Sequence, residues 1–331
     1  MSTTTAQETE RGHGAPVEVG TDGGAARPVR GPAPRLGRRA SVGQVVLAYL
    51  WEQAEAIEEL EPAVRRNAPD AVHKMRVALR RTRSALQAYG RVVDRSATRE
   101  LTGELRWLAG VLGEARDLEV LRARFSEAVG ELPDELVVGP VPDRLDRFFA
   151  PRQTDALAAI VAALDSERYR ALLAAIDRLL AEPPLTRQAH RPARRELPAL
   201  VGRAHRRVAA HVEVADRLTP GDERDTRWHE ARKASKRLRY AAEAAAPVLG
   251  KPANRLVEQV KQVQELLGDH QDAVVARPVL REIGAAAHRD GENGFTWGVL
   301  HQQQTDAGRL PEAAIICAWV DLRRRVHRLA S

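Results

Sequence analysis

The sequence predicts an all-α protein, on three observations. Apolar residues recur at helical spacing from residue 41 onward, the breaks between those stretches fall at Pro and Gly, and no alternating strand pattern of useful length occurs. The first helix is expected at Ser41, where S-V-G-Q forms a capping box: the Ser41 hydroxyl and the Gln44 side chain satisfy free amides of the opening turn. Leu47, Leu50, Trp51, Ala54, Ile57 and Leu60 follow as one apolar stripe, and Leu164, Leu172, Ile176 and Leu179 form another. Interruptions at Pro69, between Pro133 and Pro142, at Pro183 and Pro184, at Pro220 and Gly221, between Gly250 and Pro252 and between Gly291 and Gly294 divide the chain into roughly eight or more helices. Residues 1–39, rich in Gly, Pro, Thr and Arg and without periodicity, are read as a disordered tail that cannot offset its ordering entropy by burial.

Composition narrows the class. The 331 residues are 44% hydrophobic, enough for a sizeable core, but only 4% aromatic, and 52 Lys+Arg against 45 Asp+Glu leave a net charge of +7. Lysine occurs only at Lys74, Lys233, Lys236, Lys251 and Lys261, an arginine bias that a GC-rich genome accounts for. One cysteine, Cys317, excludes an internal disulfide or a multi-thiolate metal site and suits a reducing cytoplasm. The longest apolar runs, 156–164 and 313–320, fall short of the roughly 18 residues of a membrane span. The polar N-terminus has no signal-peptide core.

An internal repeat organises the helices. The run H-K-M-R-V-A-L-R-R-T-R at 73–83 aligns with H-E-A-R-K-A-S-K-R-L-R at 229–239, an offset of 156. L-G-E-A-R-D at 112–117 aligns with L-G-D-H-Q-D at 267–272, an offset of 155. Two ordered matches at nearly one offset indicate two related units of about 140 residues, an ordinary domain size. Repeat one covers about 40–182 and repeat two about 196–330.

On a helix advancing about 100° per residue, Val72, Met75, Leu79, Thr82, Leu86, Tyr89 and Val93 share one sector about 100° wide, the core face. Trp228, Ala231, Ser235, Leu238, Ala242, Ala245 and Leu249 repeat it. His73, Arg76, Arg80 and Arg83 form a narrow basic stripe centred only about 120° from that face, repeated by His229, Arg232, Lys236 and Arg239. Lys74 and Arg81 are expected opposite the core. A solvated basic face would centre about 180° away and be interleaved with acids one turn apart. Here 73–83 hold no acid and 229–239 only Glu230, so the stacked cations repel and an anion is the natural compensation. Solubility residues that snorkel are the competing reading. Asp70 and Thr226 are the expected N-caps, which would put both histidines in a first helical turn, where amides and the macrodipole favour anions; a second helix beginning earlier, at Asp222, would remove this support for His229. A nearby polyanion would favour the imidazolium form.

The location of the charge sharpens this. The two eleven-residue runs carry +5 and +4, while the remaining chain holds 42 basic and 44 acidic residues. All of the net positive charge therefore lies in the two runs.

At these residues the sequence resembles the CHAD family, the conserved histidine α-helical domain. H-x-x-R-V-x-x-R-R-x-R matches at His73, Arg76, Val77, Arg80, Arg81 and Arg83. K-R-L-R-Y-x-x-E matches at Lys236, Arg237, Leu238, Arg239, Tyr240 and Glu243, and both L-G-x-x-x-D elements fit. The resemblance covers about residues 40–330. It implies two four-helix units with pseudo-two-fold symmetry around a basic cavity, inorganic polyphosphate as ligand, and association with polyphosphate granules in the cytoplasm. The binding residues so implied are His73, Arg76, Arg80, Arg81, Arg83, His229, Arg232, Lys236, Arg237 and Arg239. Two departures, Gln271 where repeat one has Arg116 and Ser235 at an apolar position, are expected not to touch the basic stripe. Asp117 and Asp272 are expected to pair with arginines in close helix packing rather than to bind metal.

No cofactor, metal or catalytic constellation is expected. The chain has no P-loop, and His229-Glu230 lacks the second His of H-E-x-x-H. Glu8 and Glu10 are followed by Gly12 rather than the Lys of the E-x-E-x-K motif of triphosphatase domains fused to some family members. Asp269, His270 and Asp272 read as a helix-end polar network. The alternatives to non-catalytic polyphosphate binding are an RNA phosphate-backbone binder, a scaffold for acidic protein partners, and a metal-dependent polyphosphate hydrolase. Scarce aromatics and the lack of a reading module argue against sequence-specific nucleic-acid recognition.

Overall fold

The computed structural model describes residues 30–219, 221–308 and 312–330. Ten α-helices run through them: α1 (Val42–Arg65), α2 (Ala71–Ala88), α3 (Arg99–Gly130), α4 (Val141–Asp165), α5 (Glu167–Ala181), α6 (Ala193–Arg217), α7 (Asp222–Leu249), α8 (Lys251–Arg289), α9 (Phe295–Ala307) and α10 (Glu312–Ala330). Among the described residues the sole extended pairings are two isolated bridges, Ser41 with Pro192 and Val93 with Leu185, and no helix is long and apolar enough to cross a membrane.

The start of α1 is the capping box: the Gln44 amide donates to Ser41 Oγ at 3.3 Å and the Ser41 amide to Gln44 Oε1 at 2.9 Å. Each expected Pro or Gly break separates two helices. Three further breaks carry weaker signals: Tyr89 to Thr98 between α2 and α3, Ser166 between α4 and α5, and Gly308 after α9. Ser166 caps α5 by accepting from the Tyr169 amide.

The expected N-caps need correction. Asp70 does precede α2, but at φ 60° and without a side-chain capping bond. Thr226 lies inside α7, which begins at Asp222 after Gly221, so His229 is not in a first turn. Of the proposed tail, residues 1–29 lie outside the described residues. Residues 30–39 lie against the body: Arg30 pairs with Glu58 and Asp177, Trp51 Nε1 donates to the Gly31 carbonyl at 3.2 Å, and Leu36 packs on the core. One arginine with two carboxylate partners and one leucine leave no periodicity, which is why this segment reads as tail in the sequence.

One continuous core joins α1, α2, α3 and α5 of the first half to α6, α7, α8 and α10 of the second, with the C-terminal half of α4 added. Every residue of the expected α2 stripe is buried, as is its α7 counterpart apart from the partly buried Leu249. Ser235 stays on this face because its hydroxyl donates to the Arg232 carbonyl at 2.8 Å. A second, smaller core forms where the far ends of α3 and α8 meet α4 and α9, built on Phe125, Leu145, Phe149, Leu280, Ile283, Trp297 and Leu300. Each half therefore holds five helices, and its fourth, α4 or α9, extends the fold beyond two four-helix units.

Phe149 is fully buried with its ring centroid 5.0 Å from Phe148 and 6.0 Å from Phe125. Phe149→Ala is expected to cost about 3–5 kcal/mol in urea unfolding, the usual cost of emptying an aromatic site.

Candidate anion-binding site

Helices α2 and α7 pack on each other as well as on their own neighbours, α2 on α1 and α3, and α7 on α6 and α8. Because each basic stripe adjoins its core stripe, burying the cores against one another also brings the stripes together. Lys236 marks the centre of that meeting. Its ammonium is half-buried and pushed down to about 7, chiefly by desolvation and then by Arg232 and Arg239 of its own helix and Arg80 and Arg76 of α2. Arg83 is also held below its ordinary value by burial and by Arg106, Arg80 and Arg237. The two distant runs thus form one cluster.

The arginines are oriented by fixed partners at its edges. Arg76 Nη1 reaches Asp117 at 2.8 Å and Arg232 Nη2 reaches Asp272 at 3.8 Å. In each case the guanidinium lies across the glycine one turn earlier. A Cβ on Gly113 would meet Arg76 Cζ at 3.4 Å, and one on Gly268 would meet Arg232 Nη2 at 3.3 Å. The L-G-x-x-x-D element therefore supplies a flat place for an arginine and the carboxylate that holds it.

Tyr240 and Glu243 do comparable work in the middle. The buried Tyr240 hydroxyl accepts from Arg80 Nη2 at 2.8 Å and Arg239 Nη2 at 3.0 Å. Glu243 accepts from Arg81 Nε at 3.1 Å and from the Tyr49 hydroxyl at 3.2 Å, and lies 3.3 Å from Arg239. Arg81 was expected opposite the core; it is instead half-buried between α1 and α7, because α2 has packed neighbours on more than one face.

Other charges lack such partners. Among the described residues no carboxylate lies within ion-pair distance of Arg80, Arg83, Lys236 or Arg237, and the Nε atoms of Arg80, Arg232 and Arg237 are buried without an acceptor. The cluster therefore carries positive charge that no carboxylate of the described residues neutralises, an environment that attracts an anion.

The histidines sit at the margins. His73 is exposed, and burial of its ring edge, Arg116 and Arg80 lower it from its ordinary 6.5. His229 Nδ1 is 2.8 Å from Gln271 Oε1. Arg116 and Gln271 occupy matching positions of the two repeats, and each faces its repeat's histidine; the expectation that this departure would not touch the stripe is corrected. Sequence reasoning also missed Arg106, which belongs to α3 outside either motif and left no signal. Of the polar run at the middle of α8, His270 is buried with Nδ1 2.6 Å from the Gly308 carbonyl and Nε2 3.4 Å from Asp225, and Asp272 faces Arg232. That arrangement is a polar network, but between helices at the middle of α8 rather than at the expected helix end, because α8 continues to Arg289.

Known proteins place this architecture. The family model described as the CHAD domain matches residues 48–281. Two proteins of Mycobacterium tuberculosis, Uncharacterized protein Rv2226 and Uncharacterized protein MT2285, are each 40% identical over 261 residues, which is 77% of this chain and 48% of theirs. The chain thus spans about half the length of the curated relatives it matches. Two solved structures share the fold. The CHAD domain from the plant Ricinus communis superposes with a TM-score of 0.67 at 28% identity, covering 89% of this chain and 97% of that one. PptA from Streptomyces chartreusis gives 0.71 at 23% identity, covering 85% and 99%. With the repeated arginine motif, the paired glycine seats and the helical fold all in place, this chain belongs to the CHAD domain family.

Proposed function

We propose that the cluster at the α2–α7 contact binds inorganic polyphosphate without turning it over, and that the protein is cytoplasmic and associates with polyphosphate granules. The observation that carries this reading is the convergence of Arg76, Arg80, Arg232 and Arg239 on Lys236, with no carboxylate of the described residues within ion-pair distance of Arg80, Arg83, Lys236 or Arg237. Guanidinium forks match phosphate oxygens, and each charge-assisted bond is worth roughly 1.5–3 kcal/mol before ordering costs. A linear polyanion gains by multivalency along such a cluster what one orthophosphate cannot.

The surroundings favour polyphosphate over RNA. Base stacking needs an open aromatic face, whereas Tyr240 and Trp228, the aromatic residues of the α7 motif region, are both buried. Competition among polyphosphate, RNA and duplex DNA at matched phosphate concentration, across a salt series, is expected to rank polyphosphate first, with affinity falling steeply as salt rises. Replacing Arg76, Arg80, Lys236 and Arg239 together by Ala is expected to abolish binding with far-UV circular dichroism unchanged. Equal affinity for RNA, or undiminished binding by that variant, would sink the reading. Incubation of long-chain polyphosphate with the protein and Mg²⁺ or Mn²⁺ is expected to release no phosphate.

Lys236 also sets a pH dependence. Its value of about 7 in the free protein is drawn back up when an anion neutralises its neighbours, so binding takes up a proton. Affinity is therefore expected to fall as pH rises from about 7 toward the ordinary lysine value of about 10.4. Lys236→Arg, which stays charged, should flatten that profile; titration calorimetry in buffers of different ionisation enthalpy reads the proton. For folding the sign is opposite. The unfolded lysine holds its proton up to about 10.4 and the folded one only to about 7, so the free protein gains stability as pH rises through that window. Lys236→Met should raise Tm at neutral pH while weakening polyphosphate binding.

A further inference from the structure

The two repeats build the same cleft twice and line it with opposite charge. In the first half, Ala48, Tyr49 and Glu52 of α1 face Arg81 of α2 and Glu243 and Ala244 of α7. In the second, Arg203, Ala204 and Arg207 of α6 face Arg237 and Ala234 of α7 and Ala88 of α2. The repeat offsets of 155 and 156 superpose these linings: Ala48 on Arg203, Tyr49 on Ala204, Glu52 on Arg207, Arg81 on Arg237, and Ala244 on Ala88. The same offset puts Gln87 where the first cleft has Glu243.

The consequence is electrostatic. In the first cleft Arg81 is neutralised by Glu243, 3.1 Å away, and that carboxylate is itself held by Tyr49. In the second, the equivalent arginine has two further arginines beside it and a neutral glutamine in place of the carboxylate. Burial and then the charges of Arg207 and Arg95 hold Arg237 below its ordinary value, with Glu230 opposing. Arg203 is likewise lowered by burial and by Arg91, Arg206 and Arg207, opposed by Glu196. Among the described residues none of Arg91, Arg95, Arg203, Arg206, Arg207 and Arg237 has a carboxylate within ion-pair distance, and Arg237 Nε is buried without an acceptor. Arg206, Arg207, Arg91 and Arg95 are exposed.

We propose that this second cleft is a one-sided extension of the anion site, across which a long polyphosphate chain leaving the α2–α7 cluster continues over Arg83 and Arg237 onto Arg203 and Arg207. The proposal rests on the polyphosphate reading above and deepens it by giving the site a direction. Arg83 is the link, lying between Arg80 of the central cluster and Arg237 of the cleft. The cleft holds about 20 Å³, room for little more than a water, so the chain lies across its rim on the exposed guanidiniums rather than entering. The first-half cleft is roomier, about 320 Å³, but is lined by Glu52 and Glu243, which repel the same chain. Chain length then becomes a determinant of affinity: short polyphosphates occupy the central cluster alone, and longer ones add the arginines of α6.

The test compares tripolyphosphate with a long-chain polyphosphate on the full chain and on the double variant Arg203→Gln, Arg207→Gln. Retained thermal stability shows that the variant is folded. The expected result is a loss of tenfold or more for the long chain, a salt dependence shallower by about one to two phosphate contacts, and unchanged tripolyphosphate affinity. If the unaltered protein binds long chains and the double variant binds them equally well, or loses both ligands in equal measure, the extension is overturned while the central site stands. If the unaltered protein binds neither polyphosphate, both readings fall together.

Discussion

Two helices that carry a row of cations on the flank of their core face cannot bury those faces against each other without forcing the cations together. That constraint governs the rest of the structure. The apolar stripes of α2 and α7 drive the packing, and the convergence of Arg76, Arg80, Arg232 and Arg239 on Lys236 follows from it. Hydrophobic burial here works against electrostatic repulsion. The free protein stores that repulsion in a depressed lysine and in guanidinium groups without carboxylate partners, the preorganisation on which the proposed polyphosphate binding draws.

Preorganisation requires that the cations be held still without being neutralised, and the division of partners achieves both. Asp117 and Asp272 hold the edges of the cluster, Glu243 holds Arg81 and Arg239 in the middle, and the Tyr240 hydroxyl positions Arg80 and Arg239 while adding no charge. The glycines of the L-G-x-x-x-D elements let Arg76 and Arg232 lie flat against the neighbouring helix, where a larger residue would lift the guanidinium away. The repeat thus preserves a positioning device as well as a charge. Where the halves diverge, as at Glu243 against Gln87, the difference leaves the arginine of one flank neutralised and that of the other without a carboxylate partner among the described residues.

Much of the fold was legible from residue spacing. The capping box at Ser41, the breaks at Pro and Gly, and the stripe from Val72 to Leu86 all depend on local residue order, and the structure keeps them; Val93, expected on the same helix, is buried instead in an extended bridge with Leu185 because α2 ends at Ala88. The pairing of Asp117 and Asp272 with arginines was also readable, because repetition showed which residues keep their company. Thr226 misled because a polar residue before an apolar stripe looks alike at a helix start and inside a longer helix; α7 begins at Asp222. Arg81 misled because a helical wheel assumes one core direction, whereas α2 is enclosed on several sides.

The sequence by itself therefore determined the helices, the repeat, the two basic faces and their membership of the CHAD family, since these depend on the order of residue types along each helix. Only the tertiary structure decided which cations meet. Lys236 with Arg76 and Arg80, Arg83 with Arg106, and Arg237 with Arg207 are partners separated by tens to more than a hundred residues. Counting charge along the chain assigned the whole excess to two short runs and gave no weight to the arginines of α6, whose own surplus of six Arg over three acids is offset in the count by acids elsewhere in the chain. Coulomb interaction depends on distance in space, and that distance is set by packing rather than by position in the chain.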